Sequence, residues 1–347
     1  MNPVRYLLLP WWIAQLATGA KAFCDNPVLG TPTLNRWGLH VGRVRLAAAL
    51  ARSRRRRLSH LVSAEDRAAF DRDGFVLKRD VLPPDAFAEL RRQALDRASP
   101  AREMLQGDTI TRRIALDPDA LTAMPAVAAL MRGSEWRGLM RYVGSFDSEP
   151  IGYIQTILSH VNERDPDPQT ALHADTFHPT VKAWFFLTDV VEDEGPFVYV
   201  PGSHRMTAKR LAWEKARSIR ARSGLDRLSS RGSLRIDEQE LPALELPPPR
   251  AFAVPANTLV VADTSGFHAR GSSERTATRI EIWTYGRRNP FLPWRGLDPL
   301  SLRGIAERRA SFAWTMRDRF RAILGQPWKD VGLKSPAAPA RADDGRR

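Results

Sequence analysis

Leu172-His173-Ala174-Asp175-Thr176-Phe177-His178 is the stretch on which the reading of this chain turns. His173 and Asp175 are two residues apart, and on extended backbone the side chains at i and i+2 leave the same face. An imidazole and a carboxylate can therefore aim at one point. A third ligand has to come from elsewhere in the chain, and His268 is the best-placed candidate. It closes Val260-Val261-Ala262-Asp263-Thr264-Ser265-Gly266-Phe267-His268, an apolar strand followed by a glycine turn. Two histidines and one carboxylate on one face of a metal, with the remaining positions open, is the ligand set of non-haem Fe(II) oxygenases. The open positions admit a bidentate 2-oxo acid and then dioxygen.

A 2-oxo acid needs a cation for its far carboxylate. Arg279 lies eleven residues beyond His268 on the next apolar strand, Arg279-Ile280-Glu281-Ile282-Trp283. The planar guanidinium fork can hydrogen-bond both carboxylate oxygens. Arg275 is a nearby competitor, but its Ser/Glu/Thr neighbourhood reads as loop. Gln155, on the strand before the metal motif, is a further candidate contact to the co-substrate.

The surrounding sequence supports one large catalytic body with two unlike ends. At 347 residues the chain can bury a proper core without disulfide or metal staples. Its single cysteine, Cys24, excludes a disulfide framework and any cysteine-based zinc or iron–sulfur site. The formal net charge of +14 is unevenly spread: residues 1–60 hold ten basic side chains against one acid, Asp25. The basic character thus belongs to an N-terminal extension. Within it, Tyr6–Ala20 is an apolar run too short for a membrane-spanning helix, which needs roughly 20 apolar residues. Pro10 and Trp11-Trp12 argue against a cleaved leader and favour an interfacial segment. A helix over about 40–57 follows, ending in Arg54-Arg55-Arg56-Arg57, which reads as a solvated basic end. Residues 331–347, rich in Pro, Ala and Arg, read as a disordered tail.

Between these ends, residues 61–330 form the body. Ser63-Ala64-Glu65-Asp66 carries a helix N-cap, and Pro83-Pro84-Asp85 opens a helix to about Ala98. Residues 119–143 look helical. Strands are expected at 151–158, 181–190, 196–200, 251–254, 258–263 and 279–285, with a helix over 207–223 and a last one over 301–323.

These features bring a family into view. Phe70-Asp71-Arg72-Asp73-Gly74-Phe75-Val76, then Ala183-Trp184-Phe185-Phe186-Leu187-Thr188-Asp189 with Glu194-Gly195-Pro196, then Pro201-Gly202-Ser203-His204-Arg205 stand in order around the His-x-Asp motif. Over about residues 63–290 the chain resembles the phytanoyl-CoA dioxygenase family of Fe(II)/2-oxoglutarate oxygenases. The resemblance implies a mainly β fold with surrounding helices, a double-stranded β-helix of the jelly-roll or cupin type. It implies Fe(II) on His173, Asp175 and His268, 2-oxoglutarate on Arg279, and dioxygen as oxidant. It also implies hydroxylation of an unactivated C–H. Because Asp175 is present, the ligand set is that of a hydroxylase rather than of the related halogenases, which lack this carboxylate.

The substrate is left open: a small molecule, or a lipid-type compound if residues 1–60 make peripheral contact with the inner face of a membrane from the cytoplasm. Two other classes stay in view. One is a catalytically silent binding protein on the same fold. The other is a protein working through its basic N-terminus on membrane or nucleic acid, although the body's modest charge does not favour nucleic acid. His178 could face substrate or simply pack. His204 reads as a turn histidine, and Arg112-Arg113 as a solvated basic pair or, alternatively, a contact to an anionic substrate.

Overall fold

The computed structural model of the chain describes residues 7–163, 165–302 and 304–339. Its strands are β1 (Phe75–Lys78), β2 (Ser99–Gln106), β3 (Thr109–Ala115), β4 (Ile151–Ser159), β5 (Val181–Phe186) and β6 (Phe197–Tyr199). They continue with β7 (Arg250–Ala251), β8 (Thr258–Asp263), β9 (His268–Arg270), β10 (Ala277–Gly286) and β11 (Lys329–Lys334). An eight-stranded antiparallel sheet runs β1-β8-β5-β10-β4-β3-β2-β11, and a three-stranded one runs β7-β6-β9. The two sheets face each other across an aromatic layer in which Trp184 of β5 stacks on Phe197 of β6 at 4.0 Å between ring centroids. This is the expected double-stranded β-helix with surrounding helices.

Period-2 alternation explains how the large sheet is covered on both faces. On β5, Trp184 and Phe186 join the layer between the sheets, while Ala183 and Phe185 join a second core outside. On β10, Ile280 and Ile282 point to that outer core and Trp283 to the inner layer. Helices α4 (Ala64–Asp73), α5 (Pro84–Asp96), α6 (Pro118–Ala123), α7 (Pro125–Arg132) and α8 (Ser134–Gly144) close the outer side with Phe70, Leu90, Val127 and Leu139. The helical region expected over 119–143 is divided among three helices, with breaks at Pro125 and Gly133. Ser63 caps α4, its side chain accepting from the Asp66 amide at 3.0 Å. Gly74 ends α4 at φ +88°, and a Cβ there would meet His204 Nδ1 at 2.5 Å and Tyr199 Oη at 2.6 Å. Only glycine fits that turn.

Three expectations are corrected. The hairpin β2–β3 was not expected: Ser-Pro-Ala-Arg-Glu-Met-Leu-Gln over 99–106 has little alternation, and backbone pairing to β3 defines it instead. The tail was expected to be disordered from residue 331, yet Lys329–Lys334 adds to the open edge of β2. Arg112 of β3 then donates to the Ser335, Pro336, Ala338 and Pro339 carbonyls that follow. Backbone hydrogen bonds and one buried guanidinium order this segment, so its lack of apolar bulk misleads; residues 340–347 lie outside the described residues.

Finally, the basic end of the N-terminal helix is not solvated throughout. Helix α1 (Leu9–Ala14) is exposed, whereas residues 16–58, with helices α2 (Pro32–Arg36) and α3 (Leu39–Leu58), pack on the body. Arg54 is 1% exposed and donates to the Ser145, Pro290 and Leu292 carbonyls. Arg55 pairs with buried Asp263 at 2.8 Å. Two of the four arginines thus serve the fold, which removes them from any nucleic-acid surface. No helix among the described residues is long and apolar enough to cross a membrane.

Candidate metal centre

The jelly roll builds the centre from two backbone segments. His173 and His268 form an antiparallel bridge, His173 N to His268 O at 3.0 Å and His268 N to His173 O at 2.9 Å. Asp175 is fixed one step on, its amide donating to Thr264 O at 2.9 Å. The imidazole rings lie 4.6 Å apart between centroids. Candidate ligand atoms of His173, Asp175 and His268 all fall within 4.8 Å of one another, so the structure brings the three expected residues together.

Each histidine is held in one tautomer. His173 Nδ1 lies 2.8 Å from Ala171 O and His268 Nδ1 lies 3.0 Å from Gly266 O, so each Nδ1–H donates to a carbonyl. Both Nε2 atoms are left as acceptors facing Asp175, at 3.8 and 3.7 Å from its oxygens. His268 Nε2 is buried and has no hydrogen-bond partner. A buried lone pair without a donor is the observation a metal ion would account for, and two imidazole nitrogens with one carboxylate suit Fe(II). Burial pushes the His173 imidazole down to about 3 and the His268 imidazole to about 4, so both are neutral near pH 7. Burial alone would raise the Asp175 carboxyl, but Lys182 and the two imidazoles outweigh it and hold it well below the usual carboxylate range.

The triad opens into a cavity of about 310 Å³ that also contains Gln155 and Arg279. Alternation along three adjacent strands puts their polar residues there. Arg113 on β3 stands opposite Gln155 on β4, which stands opposite Glu281 on β10. Arg113 Nε donates to Gln155 Oε1 at 2.8 Å, Gln155 Nε2 donates to Glu281 Oε1 at 2.8 Å, and Arg279 Nε donates to Glu281 Oε2 at 2.8 Å. Arg279 also donates to the Gly195 carbonyl. Gln155 is thereby the middle of a relay that orients two guanidinium groups.

Sequence reasoning missed several neighbours. Lys182 pairs with Asp175 at 2.6 Å. Arg113 was expected in a solvated pair with Arg112. Instead it lies between Trp283 and Trp328, at 4.0 and 4.5 Å from their ring centroids, and burial lowers its pKa to about 10. It has no carboxylate within ion-pair distance among the described residues, unlike Arg270, which pairs with Asp167. Arg112 shares a face with Ile110 and Ile114 and breaks the alternation of Thr109–Ala115, so the sequence pattern does not mark β3.

Two further histidines fall outside this cavity. His178 is fully buried, with burial pushing it down to about 3, and a Cβ on Gly19 would lie 3.3 Å from its Nε2. It faces the N-terminal segment. His204 packs on Phe70 at 5.1 Å between centroids, as a turn histidine would.

A double-stranded β-helix carrying two histidines and a carboxylate on one face defines a class of metal-dependent oxygenase fold. Residues 70–238 match the phytanoyl-CoA dioxygenase (PhyH) family model. The matched segment includes His173 and Asp175 and ends before His268 and Arg279. No curated protein sequence matches the chain. Among solved structures, the chain is similar to the epimerase SnoN in complex with Fe3+, alpha-ketoglutarate and nogalamycin RO (17% identity, TM-score 0.40, 64% of this chain and 81% of that one). It is also similar to the carbocyclase SnoK from nogalamycin biosynthesis (18%, 0.39, 66% and 84%). HygX from Streptomyces hygroscopicus, with nickel and 2-oxoglutarate bound, is a third (20%, 0.41, 65% and 87%).

Proposed function

We propose that this chain is an Fe(II)/2-oxoglutarate-dependent dioxygenase that hydroxylates an unactivated C–H of a small-molecule or lipid-type substrate. The observation that carries this reading is the convergence of His173, Asp175 and His268 in one cavity with Arg279. Bound there, iron with 2-oxoglutarate and dioxygen would supply the oxidising power, with succinate and carbon dioxide as co-products.

The chain's own residues have distinct tasks. His173 and His268 present neutral Nε2 lone pairs in fixed tautomers, so binding a metal needs no deprotonation near pH 7. Asp175 supplies the negative charge, and its presence supports hydroxylation over halogenation. Arg279 offers its guanidinium to the far carboxylate of 2-oxoglutarate, with Glu281 and Gly195 O fixing its orientation. Trp184, Phe197 and Trp283 wall the cavity and limit water. Arg113, without a carboxylate partner, is suited to an acidic group on the substrate.

Anaerobic titration with Fe(II) and 2-oxoglutarate tests the reading through the visible charge-transfer band of the chelate. The expected band disappears in His173→Ala and weakens in Arg279→Ala. Metal binding without any band would instead favour a silent binding protein on this fold.

For the N-terminus we propose peripheral membrane contact. Leu7, Leu8, Leu9, Trp11 and Ile13 are all exposed, which supports an interfacial segment. Liposome flotation should be lost in Leu8→Ser/Trp11→Ser/Ile13→Ser. Equal flotation of this variant and the parent would dismiss the contact. Deleting residues 1–60 is the wrong test, because Val44, Ala47 and Arg54 belong to the core.

A further inference from the structure

A second cavity, of about 870 Å³, shares no lining residue with the metal centre. It lies between α3, α4 and the segment after β6. Arg52, Arg55, Arg56, Arg67 and Arg205 ring it, against the single carboxylate of Asp71. Its floor is aromatic: Phe70, Tyr142 and Phe177 are each 5% exposed or less.

The arginines divide into two kinds. Arg55 and Arg67 serve the fold: Arg55 pairs with Asp263, and Arg67 donates to the Ser59 and Val62 carbonyls. Arg52, Arg56 and Arg205 make no side-chain hydrogen bond or ion pair among the described residues. Arg52 and Arg56 are one helical turn apart on α3, a spacing at which like charges repel. The helix dipole favours cations in the last turn and so accounts for Arg56. It accounts for neither Arg52, which lies further from the helix end, nor Arg205, which comes from a different segment. Local structure thus leaves these two cations unexplained.

We propose that this cavity binds a phosphate ester, the phosphate on Arg52, Arg56 and Arg205 and the attached apolar or planar group on the aromatic floor. Several guanidinium forks call for an anion with several acceptor oxygens and more than one charge, which a phosphate monoester has and a carboxylate lacks. The volume exceeds what a bare phosphate ion fills and lies in the range of small-molecule sites. The ester's organic part would rest against the cavity wall formed by Tyr142, Phe177 and Met206. Two sources share this chemistry, a soluble phosphate ester and a phospholipid headgroup.

Calorimetry on the full chain tests the proposal, with 2-oxoglutarate saturating in both compartments so that the metal cavity does not contribute. The probes are adenosine 5′-diphosphate and, separately, phosphatidylcholine vesicles containing phosphatidic acid. The expected result is saturable binding, weakened by salt, that falls at least thirtyfold in Arg52→Gln/Arg56→Gln/Arg205→Gln. Binding to the nucleotide supports a soluble ester; binding only to the vesicles, lost in the same variant, supports the same site with a lipid as its source. A control replaces exposed Arg36, Arg45 and Arg319 with Gln. Failure of both probes, affinity that survives the cavity variant, or an equal loss in the control overturns the proposal. All six positions are solvent-facing or half-buried, so folding is not in question.

Discussion

Lys182 Nζ sits 2.6 Å from Asp175 Oδ2, so the carboxylate of the metal centre is already held by an ammonium group. The pair has two opposite consequences. Without a metal, Lys182 offsets the cost of a partly buried carboxylate. With a divalent cation present, the same ammonium is a like charge only a few ångströms away. Lys182→Met should therefore lower the stability of the metal-free protein by about 1–3 kcal/mol, less than for a fully buried pair because both side chains are about a quarter exposed. The same variant should bind Co(II) or anaerobic Fe(II) about tenfold more tightly. Urea unfolding and metal titration read the two effects separately, and a change of the same sign in both would refute the account.

The buried histidines make the metal-free protein sensitive to acid. His173 and His178 are pushed down to about 3, and His204 and His268 to about 4, in each case first by burial. An unfolded histidine takes up a proton near pH 6.5, while these folded ones stay neutral. The unfolded state thus binds more protons between about pH 6.5 and 4, and stability rises with pH across that window. Each such histidine contributes a slope of up to about 1.4 kcal/mol per pH unit. Denaturant titrations at pH 7, 6 and 5 should show a falling midpoint, and His178→Phe should flatten the fall. A pH-independent midpoint would contradict the buried, neutral assignment.

Arg279 carries the co-substrate assignment. A hydrogen bond to a charged group contributes about 1.5–3 kcal/mol, which corresponds to roughly a 10- to 150-fold change in affinity. Arg279→Ala should weaken 2-oxoglutarate by that factor while leaving metal affinity nearly unchanged. His268→Ala should instead lose metal by more than the roughly 10- to 100-fold typical of an outer-sphere partner. Titrating the visible band against 2-oxoglutarate, and metal binding in its absence, separates the two.

Arg112 is 1% exposed, pairs with Glu103 at 2.6 Å and gathers the carbonyls after β11. Arg112→Met would leave Glu103 buried without its partner and release those carbonyls. A loss of about 3–5 kcal/mol is expected in urea unfolding. Trp328, which lines the metal cavity next to Arg113, should become more accessible to fluorescence quenchers in the same variant.

How much of this was legible in the sequence depends on the range of the interactions. The pairing of His173 with Asp175 is local, fixed by the two-residue period of extended chain, and was read directly. His268 and Arg279 followed from their strand setting and their interval. Gln155 was recognised as a neighbour, but its role between Arg113 and Glu281 depends on the register of three strands, which no local pattern states. Arg113 was misread because the hairpin before it is held by backbone pairing and not by an apolar face. The tail after residue 331 was misread for a related reason. Its order comes from the free edge of β2 and from Arg112, both remote in sequence. Arg54 and Arg55 looked like part of a charge run, since their carbonyl and carboxylate partners come from segments far down the chain.

The backbone bridge between His173 and His268 bears on the order in which the molecule is assembled. The two imidazoles are brought together by paired amides and by sheets whose cores lie elsewhere, so no ion is needed to hold them in place. The site comes into being only when β9 docks against the segment around His173, 95 residues earlier in the chain. Iron would therefore be loaded into a finished protein and would take no part in guiding its folding. Stripping it with a chelator should leave an intact shell that can be refilled, so a cell short of iron would keep this protein folded, in reserve.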